Sequence, residues 1–481
     1  MKGISEVPAV IRTTARRLLS KVTFDFALRL LDHKGFQSLV HAALDATGAW
    51  EKRDCPLKAP LVVWFVVLLA LERSLSIGDL LDSVLVLLRT RVDGLRLRDL
   101  SDQSIMHARA RLGVDAVRVL FESHARSIVP ASTICGLRPW AVDGVHATVP
   151  DTPANEKQFG RPKASRGRAA FPQVTGVALI DATSRRVRDV VWGRCTASER
   201  EGCEKLLDHL GPGDLLLKDR GFAAVWLFAA CHQRHVKFLC RLPLSWKPTR
   251  IRSLGHGDYL AIVRARVPIP EEERQGSRKT RELTMKVRII EYRIGKNQRV
   301  RLVTDLLDPV EYPARVLAEA YHVRWEVELA FDEIKVHLAT VPHGTLHTTF
   351  RSKSPAGVLQ EAYGLLLAYN LLRELMLEAG ARHNVPPLEL SFAKTLAVVR
   401  RSIPAFQCAS SNKLPALFDQ LLQDIADGRL DRPRRPRRYD RVVKVKMSKW
   451  RLKRSHHKQQ PSPLTAGIRL TRRYSPRSGA H

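Results

Sequence analysis

No Cys-x-x-Cys pair occurs anywhere in this chain of 481 residues. Its seven cysteines, Cys55, Cys135, Cys195, Cys203, Cys231, Cys240 and Cys408, are scattered and odd in number. A disulfide framework is therefore not expected, whereas reduced, buried thiols in a cytosolic protein are. Cys231-His232 beside His235 hints at zinc, but with no second cysteine pair a zinc site is not expected there. Long apolar runs are also missing. The longest, Ala59 to Leu71, is too short to span a bilayer and runs into Glu72 and Arg73, so it reads as a buried helix. The N-terminus has no signal-peptide architecture. The last shortage is of acid. Asp and Glu number 48 against 80 Lys and Arg, a formal charge of +32. Such an excess implies a polyanionic partner, with nucleic acid the first choice. A membrane surface is not expected, because the basic residues are spread over several segments rather than lying beside an insertion helix.

What is present is globular: 44% of residues are apolar, and the length suggests two to four domains. Residues 1 to about 125 read as a helical domain, with helical spacing in Phe36–Leu44, Leu61–Leu71 and Ile77–Leu87. Ser101-Asp102-Gln103-Ser104 opens a further helix bearing Arg109 and Arg111. It ends at Gly113, and another runs from about Val114 to Val129. Two short helices joined by a glycine turn and carrying arginine are compatible with DNA contact. An ordinary helix pair with solvated arginines fits the same pattern.

From about residue 138 the period changes, and the segment 126–405 reads as an α/β domain. Trp140-Ala141-Val142 leads into Asp143-Gly144, and Val174–Ile180 and Arg186–Trp192 read as strands joined by the turn Asp181–Ser184. Asp214–Lys218 is a short buried strand ending at Asp219-Arg220-Gly221. A helix from Phe222 to Arg234 and a strand from Val236 to Cys240 follow. A β-rich insertion occupies about 245–305, with strands expected at Tyr259–Val267, Leu283–Tyr292 and Arg299–Thr304. It holds a charged loop from Glu271 to Thr280 and a turn at Gly295–Asn297. One long helix is expected from Pro313 to Leu338, and a second, apolar one from Ser354 to Ala379. Residues 406–481 form a C-terminal segment ending in a basic tail. From Arg429 onward 18 Lys and Arg face 2 Asp, a net of +16 (18 − 2). Arg432-Pro433-Arg434-Arg435-Pro436-Arg437-Arg438 cannot form a core and reads as a flexible arm for phosphate backbone.

The chemistry concentrates on the long helix. Tyr321, Arg324, Glu328 and Lys335 lie at offsets of three, seven and fourteen residues. At about 100° per residue they fall within roughly 60° of one another. Val323, Val327, Ala330 and Ile334 take the other side. One face packs, while the other presents a carboxylate between cations and a phenol, suited to a divalent metal and phosphate. Two-metal phosphoryl transfer needs carboxylates from several elements, and strand ends present them rigidly. Asp143 and Asp219 fit as strand-end acids, and Glu328 as the third. Asp181 and Asp189 flank a hairpin, Asp214 begins a strand, and Asp151 reads as a turn residue. Glu326 and Glu333 point away from the stripe. Asp332, one turn beyond Glu328, stays open as its competitor.

Three segments resemble DDE-type transposases of bacterial insertion sequences, of the insertion-sequence-four family. They are Ala141-Val-Asp-Gly with Val149-Pro-Asp-Thr-Pro-Ala-Asn155 and Phe159-Gly160; Leu215-Leu-Leu-Lys-Asp219-Arg-Gly-Phe; and Tyr321-x2-Arg324-x3-Glu328-x6-Lys335, which matches the family's Tyr-Arg-Glu-Lys signature. Leu365-Leu-Leu-Ala-Tyr-Asn-Leu371 and Arg441–Lys449 resemble later family segments. The resemblance implies a ribonuclease-H-like catalytic domain with the β-rich insertion between the second and third acids. It implies that Asp143, Asp219 and Glu328 bind two Mg2+ ions, with Mn2+ a substitute, and that Tyr321, Arg324 and Lys335 contact DNA phosphates. It implies hydrolysis at the element's ends, joining of the 3′ ends to target DNA by transesterification, and a homodimer in a synaptic complex. It implies double-stranded DNA as the partner and the bacterial cytoplasm, at the nucleoid, as the location. Trp246 is a stacking candidate within the insertion. A catalytically inactive DNA-binding inhibitor and a ribonuclease-H-fold nuclease that does not join strands are the alternatives.

Overall fold

The computed structural model describes residues 35–53, 55, 57–89, 101–164, 167–268, 280–294, 298–338 and 349–430, together with short strands at 437–438, 462–463 and 468–470. The basic arm Arg432–Pro436, the basic segment Arg441–Lys449, most of the 271–280 loop and the turn Gly295–Asn297 lie outside the described residues. The chain is mixed α/β and divides into two compact units. One comprises 1–129, 143–202 and 326–429. The other comprises 130–142, 203–325 and 430–481. Among the described residues no helix is long and apolar enough to cross a membrane.

The first unit is built on helices. Along the N-terminal part run α1 (Phe36–Thr47), α2 (Ala59–Leu71), α3 (Ile77–Arg89), α4 (Asp102–Leu112) and α5 (Asp115–Ala125). In α2, 12 of 13 residues are buried, as an unbroken apolar run requires. β1 (Arg138–Thr148) enters this unit at Asp143, next to β2 (Gln173–Asp181). β2 pairs antiparallel with β3 (Val187–Arg194) across the expected turn. Between β1 and β2 lies α6 (Pro153–Phe159), and after β3 comes α7 (Glu199–Leu206).

The second unit is a sheet with order β1-β4-β5-β9-β8-β7-β6. Its strands are the first half of β1, β4 (Asp214–Lys218), β5 (Lys237–Arg241), β6 (Thr249–Gly255), β7 (Asp258–Pro268), β8 (Thr280–Ile294) and β9 (Gln298–Thr304). β1, β4 and β5 are parallel, and α8 (Val225–Gln233) supplies the crossover that parallel strands need. Every residue of β4 is buried, as in a parallel strand covered on both faces. The insertion extends this sheet: β9 pairs antiparallel with β5, then β8, β7 and β6 follow. β6 has no counterpart in the sequence reading. Its residues are mostly exposed, so no apolar alternation marks it. Ile468–Leu470 pairs antiparallel with Tyr292–Ile294.

The expected single helix from Pro313 to Leu338 is instead four pieces. These are α9 (Ala314–Ala320), a 3₁₀ turn (Tyr321–Arg324), α10 (Trp325–Asp332) and a π-helical turn (Glu333–Leu338). A uniform 100° wheel therefore does not describe this stretch. Three residues per turn in the 3₁₀ segment place Tyr321 directly over Arg324, and the wider π turn takes Lys335 out of the uniform 100° register. The chain resumes in α11 (Pro355–His383), α12 (Phe392–Cys408) and α13 (Leu414–Ala426), all in the first unit. The Ser354 hydroxyl caps α11 by accepting from the Gly357 N–H, and Asn384, at φ 53°, ends it. Leu365 to Leu372 are all buried. α11 crosses α2 at Gly364, where a Cβ would lie 2.5 Å from Val66 Cγ1. Only glycine allows that approach.

Candidate active site

In the second unit, β1 and β4 run side by side in the register Arg138↔Asp214 to Val142↔Lys218. Asp219 is the first residue beyond the last pair. Its backbone leaves the strand and its carboxylate caps a 3₁₀ turn, accepting from the Gly221 N–H at 2.7 Å. The Cys240 thiol donates to the Asp219 carbonyl at 3.3 Å. The Tyr321 phenol is buried, and burial pushes its pKa up. Arg324 opposes the shift, whereas Cys240 and Asp219 reinforce it. Tyr321, Arg324 and Asp219 therefore share one electrostatic neighbourhood.

Behind Asp219, Lys218 is fully buried. Its ammonium donates to Cys231 Sγ at 3.3 Å and lies 5.0 Å from the ring centres of both Phe228 and Phe238. Burial pushes the Cys203 and Cys240 thiols up to about 12, with Lys218 opposing. Cys231 is a buried thiol engaged by Lys218. Among the described residues no group of three or more His, Cys, Asp or Glu is arranged to hold a metal ion.

In the first unit, Asp143 follows Val142 along the same strand. It stands inside β1 rather than at its end, because the strand continues to Thr148 beside β2. The Gly144 N–H donates to Asp143 Oδ1 at 2.8 Å. Gly144 also leaves room for Glu199, whose Oε1 would lie 2.2 Å from an added Cβ. Burial holds the Lys335 ammonium below the ordinary lysine range, and Asp143 counteracts it. Glu328 is half-buried on α10.

Most of the rival carboxylates have structural partners. Asp214 accepts from Arg138 at 2.8 Å and from the Trp140 indole at 2.9 Å. Asp181 holds the β2–β3 turn through the Thr183 N–H at 2.8 Å, and Asp151 pairs with Arg161. Glu326 pairs with Arg185, and Glu333 with Arg185 and Arg373. Burial alone would raise the Glu333 carboxyl. The Arg373 and Arg185 guanidiniums and the Tyr369 hydroxyl more than offset it and hold it below the usual carboxylate range. Asp332 is half-buried beside Glu328.

Arg109 is not available to DNA. It is buried and donates to Gln360 Oε1 at 2.8 Å and Ser352 Oγ at 3.1 Å. Arg111 donates to the Leu57 carbonyl at 2.9 Å. Trp246 packs on Phe228, with centroids 6.4 Å apart. Sequence reasoning did not find the roles of Tyr369, Asn370 and Arg185. Tyr369 donates to Glu333 at 2.9 Å, and Asn370 makes a two-way bond with the Val187 backbone, 2.8 Å in each direction. The Ala368-Tyr369-Asn370 run inside an apolar helix was the available signal.

Carboxylates, in kind, are the oxygen donors that a hard divalent cation takes. Residues 136–371 match the family model described as "Transposase DDE domain", and residues 27–122 match "Insertion element 4 transposase N-terminal". The chain is 32% identical over 421 residues to "Transposase InsG for insertion sequence element IS4" of Escherichia coli (strain K12), covering 85% of this chain and 89% of that protein. This chain is an IS4-family DDE transposase. A DNA-cleaving and joining enzyme of the DDE class is thereby established, in a family that works with divalent metal ions. The transposase also resembles a piggyBac transposase solved by cryo-EM as a synaptic complex with hairpin DNA. That match has 10% identity, covers 85% of this chain and 87% of the other, and has a TM-score of 0.44.

Proposed function

We propose that this transposase binds the ends of its insertion sequence, hydrolyses the strand there and joins the freed 3′ ends to target DNA. Asp143, Asp219 and Glu328 are the acids in this reading, on a ribonuclease-H-like domain whose β-rich insertion separates the second from the third. The observation that carries it is the register of β1 and β4. Asp143 and Asp219 each follow immediately on the final pair, Val142↔Lys218, of two parallel strands. β4 ends there, just before Asp219, and ligands of α/β sheets gather at such carboxyl ends, while β1 runs on past Asp143 to Thr148.

The three carboxylates would hold two Mg2+ ions, or Mn2+ in their place. The bound metal would supply activation of the attacking oxygen and neutralisation of the leaving one. The chain's own residues orient the DNA. Lys335, electrostatically coupled to Asp143, would hold a phosphate near the first acid. Arg324 and the Tyr321 hydroxyl would hold the backbone near Asp219. Tyr321 stays a neutral hydrogen-bond donor, because burial keeps its proton on at any physiological pH. The basic tail and the helical segment 1–125 would add contacts to duplex DNA. The working form would be a homodimer pairing two ends in the bacterial cytoplasm.

The test is strand cleavage and strand transfer, with Mg2+, on duplex DNA carrying the terminal repeats that flank the coding sequence. Asp143→Asn, Asp219→Asn and Glu328→Gln are each expected to abolish both steps while leaving DNA binding in place. Full cleavage by Glu328→Gln with loss in Asp332→Asn would move the third acid to Asp332. Cleavage without any joined product would make the protein a nuclease.

A further inference from the structure

Glu328 sits on an unusual support. α10 has only eight residues, with a 3₁₀ turn before it and a π turn after it. A continuous α-helix fixes the rotation of each side chain through its hydrogen-bond ladder. Here the ladder changes pitch on both sides of Glu328, so its direction depends on irregular turns as well as on the α-helix.

Side chains supply what the ladder lacks. Glu326 and Glu333 flank Glu328, two residues before and five after, and both are buried. Arg185 bridges them: Nε donates to Glu326 Oε2 at 2.5 Å and Nη1 donates to Glu333 Oε1. The bridge spans the junction between the α and π segments. Arg373 and the Tyr369 hydroxyl, from α11, engage the other oxygen of Glu333, the latter at 2.9 Å. Two buried cations thus face two buried anions.

Two further features argue that this is more than packing. Burying four charges gives little stability compared with apolar side chains of similar volume, so stability alone does not account for the cluster. Arg185 also adopts φ 63°, a left-handed conformation uncommon for arginine. The β2–β3 turn holds it there. The Arg185 N–H donates to the Asp181 carbonyl at 2.8 Å, and Asp181 is itself buried and bonded to Thr183 and Ser184. A strained backbone that presents a single guanidinium marks a constrained site.

We infer that Arg185, Glu326, Glu333 and Arg373 form a clamp that aims Glu328, with Arg185 a positioning residue of the transposition reaction. The inference rests on the proposed role of Glu328 as third acid. Loosening the aim should weaken metal capture before it affects DNA binding, as for residues that orient metal ligands.

The experiment titrates Mn2+ in single-turnover cleavage of terminal-repeat DNA by the full chain. Arg185→Lys keeps the charge but loses the two-pronged bridge. It is expected to raise the Mn2+ concentration for half-maximal rate by about tenfold or more, with metal-free DNA binding unchanged and the maximal rate recovered at high Mn2+. Tyr369→Phe, which removes one hydrogen bond and almost no bulk, should shift the curve the same way and less, and it stands in if Arg185→Lys does not fold. A merely structural role predicts fewer active molecules, hence a lower amplitude with an unchanged half-saturation point. That outcome would overturn the clamp. Glu328→Gln is run alongside: if it cleaves like the wild type, the third-acid reading fails, whatever the Arg185 variant does.

Discussion

The strand end that carries Asp219 and the broken helix that carries Glu328 are ordered in different ways. β4 is fixed by main-chain pairing on both sides, and its side chains are apolar apart from Asp214 and Lys218. α10 has irregular turns at its ends and is secured by buried ion pairs through Arg185, Glu333 and Arg373. Backbone pairing is indifferent to most side-chain changes nearby. A charge clamp is not, since removing one partner strands the others without solvent.

The comparison can be broken most forcefully at Glu333. Glu333→Ala leaves Arg185 and Arg373 buried with too little negative charge, and should cost about 3–5 kcal/mol in unfolding experiments. A loss below about 1 kcal/mol, on the scale of an exposed pair, would mean that the helix is not clamped.

Lys335 tests the same stretch through pH. Its folded pKa lies below that of an ordinary lysine, chiefly from burial. As pH rises through that folded value the ammonium is lost, so DNA affinity should decline at a lower pH than a solvated lysine would give. Stability runs the other way. Between the folded and unfolded pKa values the unfolded chain binds more protons, so the folded state gains as pH rises across that window. Lys335→Met should flatten both trends and lower the salt slope of DNA binding by about one. An unchanged salt slope would remove Lys335 from the phosphate contacts.

On the strand side the expected effects are smaller. A Cβ on Gly221 would sit 3.0 Å from Asp219 Oδ1, so Gly221→Ala nudges the carboxylate by a few tenths of an ångström. Cleavage should fall by well under the ~100-fold that a 1 Å misplacement brings. Smallest of all is Lys218→Met, which replaces a buried charge by a similar apolar volume. Its melting temperature should stay level or rise, with cleavage intact. A large loss of cleavage there would show that β4 too depends on charge.

The elements with strong local patterns were legible in the sequence. The all-apolar α2, the β2–β3 hairpin around Asp181–Ser184 and the buried Leu-Leu-Leu of β4 follow from runs and turn residues that tolerate one reading. The helix around Tyr321 was legible as helix but not as four pieces. Its residues carry no proline or glycine to announce a change of pitch, and tertiary contacts such as the Arg185 bridge are invisible locally. For the same reason Arg109, two residues from an equally basic neighbour, could not be told from a solvated arginine until Gln360 and Ser352 were brought beside it. The motif acids were chosen by their spacing, their neighbours and the family resemblance, with Asp332 left as competitor to Glu328. The partners of the rival acids lie as far as 148 positions away, in the case of Arg185 and Glu333, and no periodicity reports such a pairing.

The distribution of thiols in the fold has a practical use. Cys203, Cys231 and Cys240 are buried around Lys218, and burial keeps their protons on. Alkylating reagents need an accessible thiolate, so these three should stay silent under native conditions. Cys408, at the end of α12, is the exposed one of the seven. A maleimide dye should therefore favour that position, giving a fluorescent handle on the first unit without first removing the cysteines behind Asp219.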